Sequence, residues 1–114
     1  MNLKSSLYTF ILGGLANAIG ASQTDTRGLF TATRTSNIVF KGFKNATQQG
    51  STNTTDFSSS YDSGNVFLFS RNGGQYFDSK QCAFASIGNG LTDIDVSNLY
   101  SLVQAFQTTL NRQV

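Results

Sequence analysis

Histidine, glutamate, proline and tryptophan are absent from this chain of 114 residues, and cysteine occurs once. Without an imidazole to take a proton near neutral pH, Ser-His-Asp and Cys-His nucleophilic mechanisms are excluded. Cys82 alone cannot ligate structural zinc, and it has no partner for an intrachain disulfide. No Gly-Lys-Ser or Gly-Lys-Thr phosphate loop occurs. Charge is also scarce: eight Lys and Arg against six Asp give a net +2. The cations at positions 4, 27, 34, 41, 44, 71, 80 and 112 are too dispersed for a nucleic-acid footprint.

What is present is polar and uncharged. Ser, Thr, Asn, Gln and Gly together make 56 residues, a balance typical of secreted or virion surfaces, while ten Phe within a 39% hydrophobic fraction suffice for one core. Six Asp could in principle furnish a carboxylate pair or a calcium site, but no Asp-x-Asp-x-Asp cluster occurs. Asp93 and Asp95 read instead as helix-start acids at the positive end of a macrodipole. No metal or other cofactor is expected.

Residues 1–20 carry two readings. Lys4, the apolar stretch Leu7–Leu15 and Ala16-Asn17-Ala18 have the layout of a signal peptide, whereas Tyr8, Thr9 and Phe10 favour a strand over about Leu7 to Leu12, closed by a Gly-rich turn. The segment is too short to span a bilayer. Gly28–Arg34 and Ile38–Lys44, separated by Thr35-Ser36-Asn37, predict a β-hairpin, and Lys44–Thr47 a further turn at Asn45. Gln48–Ser63 reads as an exposed polar loop. Its sequon Asn53-Thr54-Thr55, like Asn45-Ala46-Thr47, carries no weight in a chain this rich in Asn, Ser and Thr. Val66–Phe69 predicts a central strand, and Lys80–Ile87 another in which Cys82 is a small buried hydrophobe. A terminal helix is predicted over residues 92–112. Thr92 with Asp95 approximates a capping box, and Val96, Leu99, Val103, Phe106 and Leu110 form the buried stripe, leaving Gln104, Gln107, Thr108 and Asn111 outside.

Four stretches resemble the concanavalin A-like, or laminin-G-like, jelly roll of phage and bacteroidete surface proteins. They are Thr24–Arg34, with its Asp-x-Arg-Gly turn and strand; Gly42-Phe43-Lys44-Asn45; Phe67–Asn72; and Phe77–Val114, with the Ile87-Gly88-Asn89-Gly90-Leu91-Thr92 corner and a terminal helix. The resemblance covers Thr24 to the C-terminus, with Leu7 as the outer limit, and corresponds to the latter part of such a domain. It implies a single all-β sandwich over residues 1–114 with a C-terminal α-helix. Ala46 departs from the family's usual Gly, which argues against a type I′ turn there. About six strands are countable where a closed sandwich needs seven or more, so the sheets are expected to be incomplete or completed by another copy or polypeptide.

The same resemblance implies a non-catalytic, lectin-like module on a virion or extracellular surface. Its partners would be a glycan or neighbouring virion proteins, in a homo-oligomer or larger assembly, with neither nucleic acid nor membrane. The ligand contacts would come from Asn72, Gln75, Tyr76 and Asp78, a glycine-rich turn that gathers amide, phenol and carboxylate groups, and then from Arg34 and Asn37 at a hairpin tip. The alternative is a phage structural protein, such as a capsid decoration or a head-fibre or tail-fibre domain, acting by assembly only. Glucan-cleaving members use closely spaced Glu carboxylates, which this chain lacks.

Overall fold

In the computed structural model, residues 6–10, 18–25, 27–57 and 81–112 are described. They form five strands and a C-terminal helix, a strand-rich architecture. Strands β1 (Ser6–Phe10) and β2 (Ile19–Gln23) make an antiparallel ribbon in which Phe10 stands opposite Ile19. Strands β3 (Phe30–Ser36), β4 (Val39–Lys44) and β5 (Thr47–Asn53) make an antiparallel sheet in the order β3-β4-β5. The N-terminal strand agrees with one reading of residues 1–20. The β3–β4 hairpin is also as expected, with its turn moved to Asn37-Ile38 so that β4 opens at Val39. The register shift between Arg34 and Ser36 leaves Thr35 as the extra residue of a bulge in β3.

The two faces of the sheet meet different parts of the chain. Opposed residues in an antiparallel pair share a face, so Phe30, Ala32 and Arg34 line up with Lys44, Gly42 and Phe40. The β1–β2 ribbon covers this side. The Phe10 ring occupies the space where a Cβ on Gly42 would stand, and its centroid is 6.4 Å from that of Phe30. Phe10, Ile19 and Phe40 are buried there, with Phe30 packed against them. Each such side chain contributes about 1.5 to 3 kcal/mol. Ile19 also lies against β5, its Cγ2 3.0 Å from the Cβ position of Gly50. The opposite face carries Thr31, Thr33, Lys41 and the buried Phe43, and the segment leading into the helix approaches it.

Three expectations from the sequence are corrected here. The polar stretch after Ala46 is not loop throughout, because Thr47–Asn53 is β5. Its lack of apolar alternation hid it, and its strand character comes from the backbone ladder propagated from a two-residue turn. Gly50 at φ +67° serves an irregularity in that ladder, where Gln48 Nε2 donates to the Gly50 carbonyl at 3.2 Å and to Thr52 Oγ1 at 3.3 Å. The turn itself has Asn45 at φ 50° and Ala46 at φ 66°, the pair of left-handed residues a type I′ turn requires, despite the alanine. Asn45 compensates: its backbone N–H donates to the Leu29 carbonyl at 2.9 Å, and its Oδ1 accepts from the Leu29 N–H at 2.8 Å. Finally, Gln81–Ile87 forms no strand, and Cys82 is exposed, donating to the Phe84 carbonyl at 3.1 Å. Alternating small and apolar residues do not make a strand where, among the described residues, no ladder partner is in register. The expected strand at Val66–Phe69 lies outside the described residues.

The helix, α1, spans Asp93–Thr109 and not the whole of 92–112. The capping box forms as read. Thr92 Oγ1 accepts from the Asp95 N–H at 3.3 Å, while Asp95 Oδ2 accepts from the Thr92 N–H at 3.0 Å. At the other end Asn111 takes φ 53°, with Arg112 N donating to the Gln107 carbonyl and Asn111 N to that of Thr108, the Schellman pattern. The buried stripe is Val96, Val103 and Gln107, with Leu99 half-buried and Phe106 and Leu110 exposed. At 100° per residue this is a rotation of about 40° from the expected axis, and it turns Gln107 inward in place of Phe106. Gln107 Nε2 there reaches the Ala83 carbonyl at 3.4 Å.

Because Ala46 holds a left-handed conformation that costs a Cβ-bearing residue about 1 kcal/mol, Ala46→Gly should raise stability by about 0.5 to 1 kcal/mol. Urea denaturation, with an unchanged slope, checks this.

Candidate functional site

The β3–β4 hairpin brings together the two candidate residues that fall in the described part, Arg34 and Asn37. Arg34 Nη1 donates to the Asn37 carbonyl at 2.9 Å, and the Phe57 N–H donates to the same oxygen at 3.0 Å. The guanidinium carbon lies 5.3 Å from the ring centroids of both Phe40 and Phe57. Cation–π contacts of this kind are worth about 0.5 to 2 kcal/mol each according to their desolvation. Arg34 thus fastens the segment after β5 to the hairpin, with its charge shared between two rings and a carbonyl. The tip is a structural latch before it is a ligand contact. Asn72, Gln75, Tyr76 and Asp78 lie outside the described residues.

A second constellation joins residues far apart in sequence. Gly90 sits where a Cβ would run into the Arg34 carbonyl, so only glycine lets the chain come this close to β3. Next to it, Thr33 Oγ1 accepts from the Leu91 N–H at 2.6 Å and donates to the Leu91 carbonyl at 2.9 Å. One buried hydroxyl therefore satisfies both backbone groups of a residue 58 positions away. Lys41 Nζ lies 2.7 and 2.8 Å from the two Asp93 carboxylate oxygens. Around these groups is a cleft of about 280 Å³ lined by Thr33, Val39, Lys41, Leu91, Thr92 and Asp93. Its size is near the lower end for small-molecule sites, and its Thr33, Lys41 and Asp93 groups are spent on one another and on the backbone. The cleft is chemically an anchor for the first turn of α1. The sequence marks Asp93 only as a helix-start acid; Thr33 and Lys41 carry no signal, since alternation in β3 and β4 does not say what will stand opposite.

Among the described residues, two carboxylates are held below the usual range. The Thr92 hydroxyl, 2.6 Å from Asp95 Oδ2, and the Thr92 N–H stabilise the Asp95 anion. The Arg27 side chain does the same for Asp25, with Nε 3.0 Å from Oδ1, followed by the Arg27 N–H. Gly28, at φ +126° and with its Cβ position 2.6 Å from Asn45 Oδ1, could be no other residue without displacing Asn45.

Among the described residues no three His, Cys, Asp or Glu side chains gather to hold a metal ion, and no helix is long and apolar enough to cross a membrane. Comparison with protein-family models, with curated proteins and with solved structures gave no match.

Thr33→Val keeps the shape but leaves the Leu91 N–H without its acceptor, and should cost about 1 to 3 kcal/mol in denaturant melts, with Thr33→Ser costing less. A carboxylate whose folded pKa is depressed supports the fold above its unfolded pKa and ceases to as pH falls through the folded value. Stability should therefore decline below about pH 4, and Asp95→Asn should flatten part of that acid limb in melts recorded from pH 6 to pH 2.

Proposed function

We propose that this chain is a non-catalytic module that works by contact with neighbouring chains on a virion or extracellular surface, and that its sheets belong to a laminin-G-like jelly-roll sandwich. The observation that carries the reading is the outer flank of α1, where Leu102 is 69% exposed, Phe106 52% and Leu110 43%. A row of large apolar side chains on one helix flank is what a chain that functions by association presents. Composition supports the same reading, since the sequence has neither the His nor the Glu on which most hydrolytic chemistries depend. The covered β3–β4 face and the ribbon laid over it suit a layered β-architecture.

A glycan-binding role is the second reading, favoured by the clustering of Asn72, Gln75, Tyr76 and Asp78 about Gly73-Gly74. Arg34 and Asn37 add little to it, because the Arg34 guanidinium and the Asn37 carbonyl already hold the hairpin.

The test is density-gradient fractionation of particles and cell surfaces from the producing source, with an antibody to the chain. The expected result is co-sedimentation that withstands 1 M salt, since the apolar flank carries no charge to screen, and that mild detergent disrupts. Recovery of the chain only as free protein would overturn the assembly reading. A glycan-array signal abolished by Tyr76→Ala would establish the second in its place.

A further inference from the structure

We propose that the Leu99, Leu102, Phe106 and Leu110 flank of α1 is the isologous interface of a homodimer, in which two copies pack helix on helix in antiparallel orientation. The inference deepens the assembly reading and rests on it, by naming the surface and the first partner.

Three observations select a second copy. First, the residues recur at spacings of 3, 4 and 4, which keeps them on one ridge beside the buried stripe. Leu102, Phe106 and Leu110 are exposed on that ridge and Leu99 is half-buried. Second, no charged residue occurs from Val96 to Asn111. The ridge thus offers nothing to an acidic or basic peptide, to nucleic acid or to an anionic membrane, and its complement must be a similarly uncharged apolar ridge. This chain supplies one, and a two-fold axis makes it self-complementary.

The third observation is the distribution of charge at the helix ends, which fixes the orientation. The first turn carries Asp93 and Asp95, the last turn carries no basic residue, and the exposed Arg112 follows directly. Parallel packing would set the two acidic turns side by side. A two-fold axis near Gln104 instead brings each Arg112 to within about one turn of Asp95 on the other copy. The helix is also held for presentation at its first turn by Lys41–Asp93 and the Thr33–Leu91 clip.

The ridge leaves three large apolar side chains exposed per copy, Leu102, Phe106 and Leu110, the kind of patch that acquires a role on a monomer. The contact so formed is small beside the roughly 1,000 Å² that specific interfaces bury. The dimer should accordingly be one of micromolar affinity.

Light scattering of the full chain over about 1 to 100 μM should show the mass rising from 12.3 kDa toward twice that value. Leu102→Gln and Phe106→Gln should each remain monomeric throughout, with circular dichroism unchanged. Arg112→Glu, which leaves the backbone bond from Arg112 N to the Gln107 carbonyl in place, should weaken the dimer about tenfold at low salt, while Arg112→Lys retains it. A chain still monomeric at 100 μM overturns the proposal. A dimer indifferent to both glutamine variants overturns it as well. Either failure leaves particle co-sedimentation as an independent measure of the assembly reading.

Discussion

Everything on one side of the β3-β4-β5 sheet depends on the absence of a side chain at Gly42. The Phe10 ring takes that space, and through it the β1–β2 ribbon is seated on the sheet. Phe10 then meets Phe30, and Ile19, opposite it in the ribbon, reaches β5 at Gly50. A single methyl at position 42 would force ring and strand apart, and close-packed interiors accommodate such an intrusion poorly. Gly90 imposes the same constraint at the β3 edge, where it lets the chain run against the Arg34 carbonyl and delivers Leu91 to Thr33. Two glycines thus set two close approaches, and the aromatic and hydroxyl contacts around them follow.

The sheet separates two kinds of adhesion. The side facing the ribbon is aromatic and apolar, with Arg34 held between Phe40 and Phe57 at its margin. The side facing the entry to α1 joins through polar contacts, a reciprocal hydroxyl clip and one ion pair. The ion pair is partly exposed and adds at most about 1 kcal/mol. The hydroxyl clip matters more, because it is buried and removes two unsatisfied backbone groups at once. The start of α1 is therefore defined by direction-specific bonds, while its outer ridge carries no charged residue between Val96 and Asn111.

Local chemistry was the most legible part of the sequence. The capping box at Thr92 and Asp95 needs only residues three apart, and the β3–β4 hairpin shows itself through Thr, Val and aromatic content. Legibility failed where a strand had no hydrophobic signature, as in β2 and β5, or where such a pattern has no ladder partner among the described residues, as in Gln81–Ile87. Ala46 misled because turn preference was weighed without the bonds from Asn45 to Leu29 that hold the turn. The helix stripe was found, but its rotation depends on the surface it meets, so Gln107 and Phe106 exchanged places. Of the candidate site, the position of Arg34 and Asn37 at a hairpin tip was readable. The engagement of Arg34 with Phe57 was not, and neither were the Thr33–Leu91 and Lys41–Asp93 pairs, separated by 58 and 52 residues.

The Thr33–Leu91 clip also makes a closed circuit of the chain between its two ends. Closing such a circuit is the costly event, after which its circumference matters little: doubling the enclosed length adds only about 0.6 kcal/mol. The clip therefore uncouples the hairpin and the root of α1 from the amount of chain between them. The circuit takes in β4 and β5, so the length that can change while the two joined ends keep their relation is that outside these strands and the Arg34–Phe57 latch.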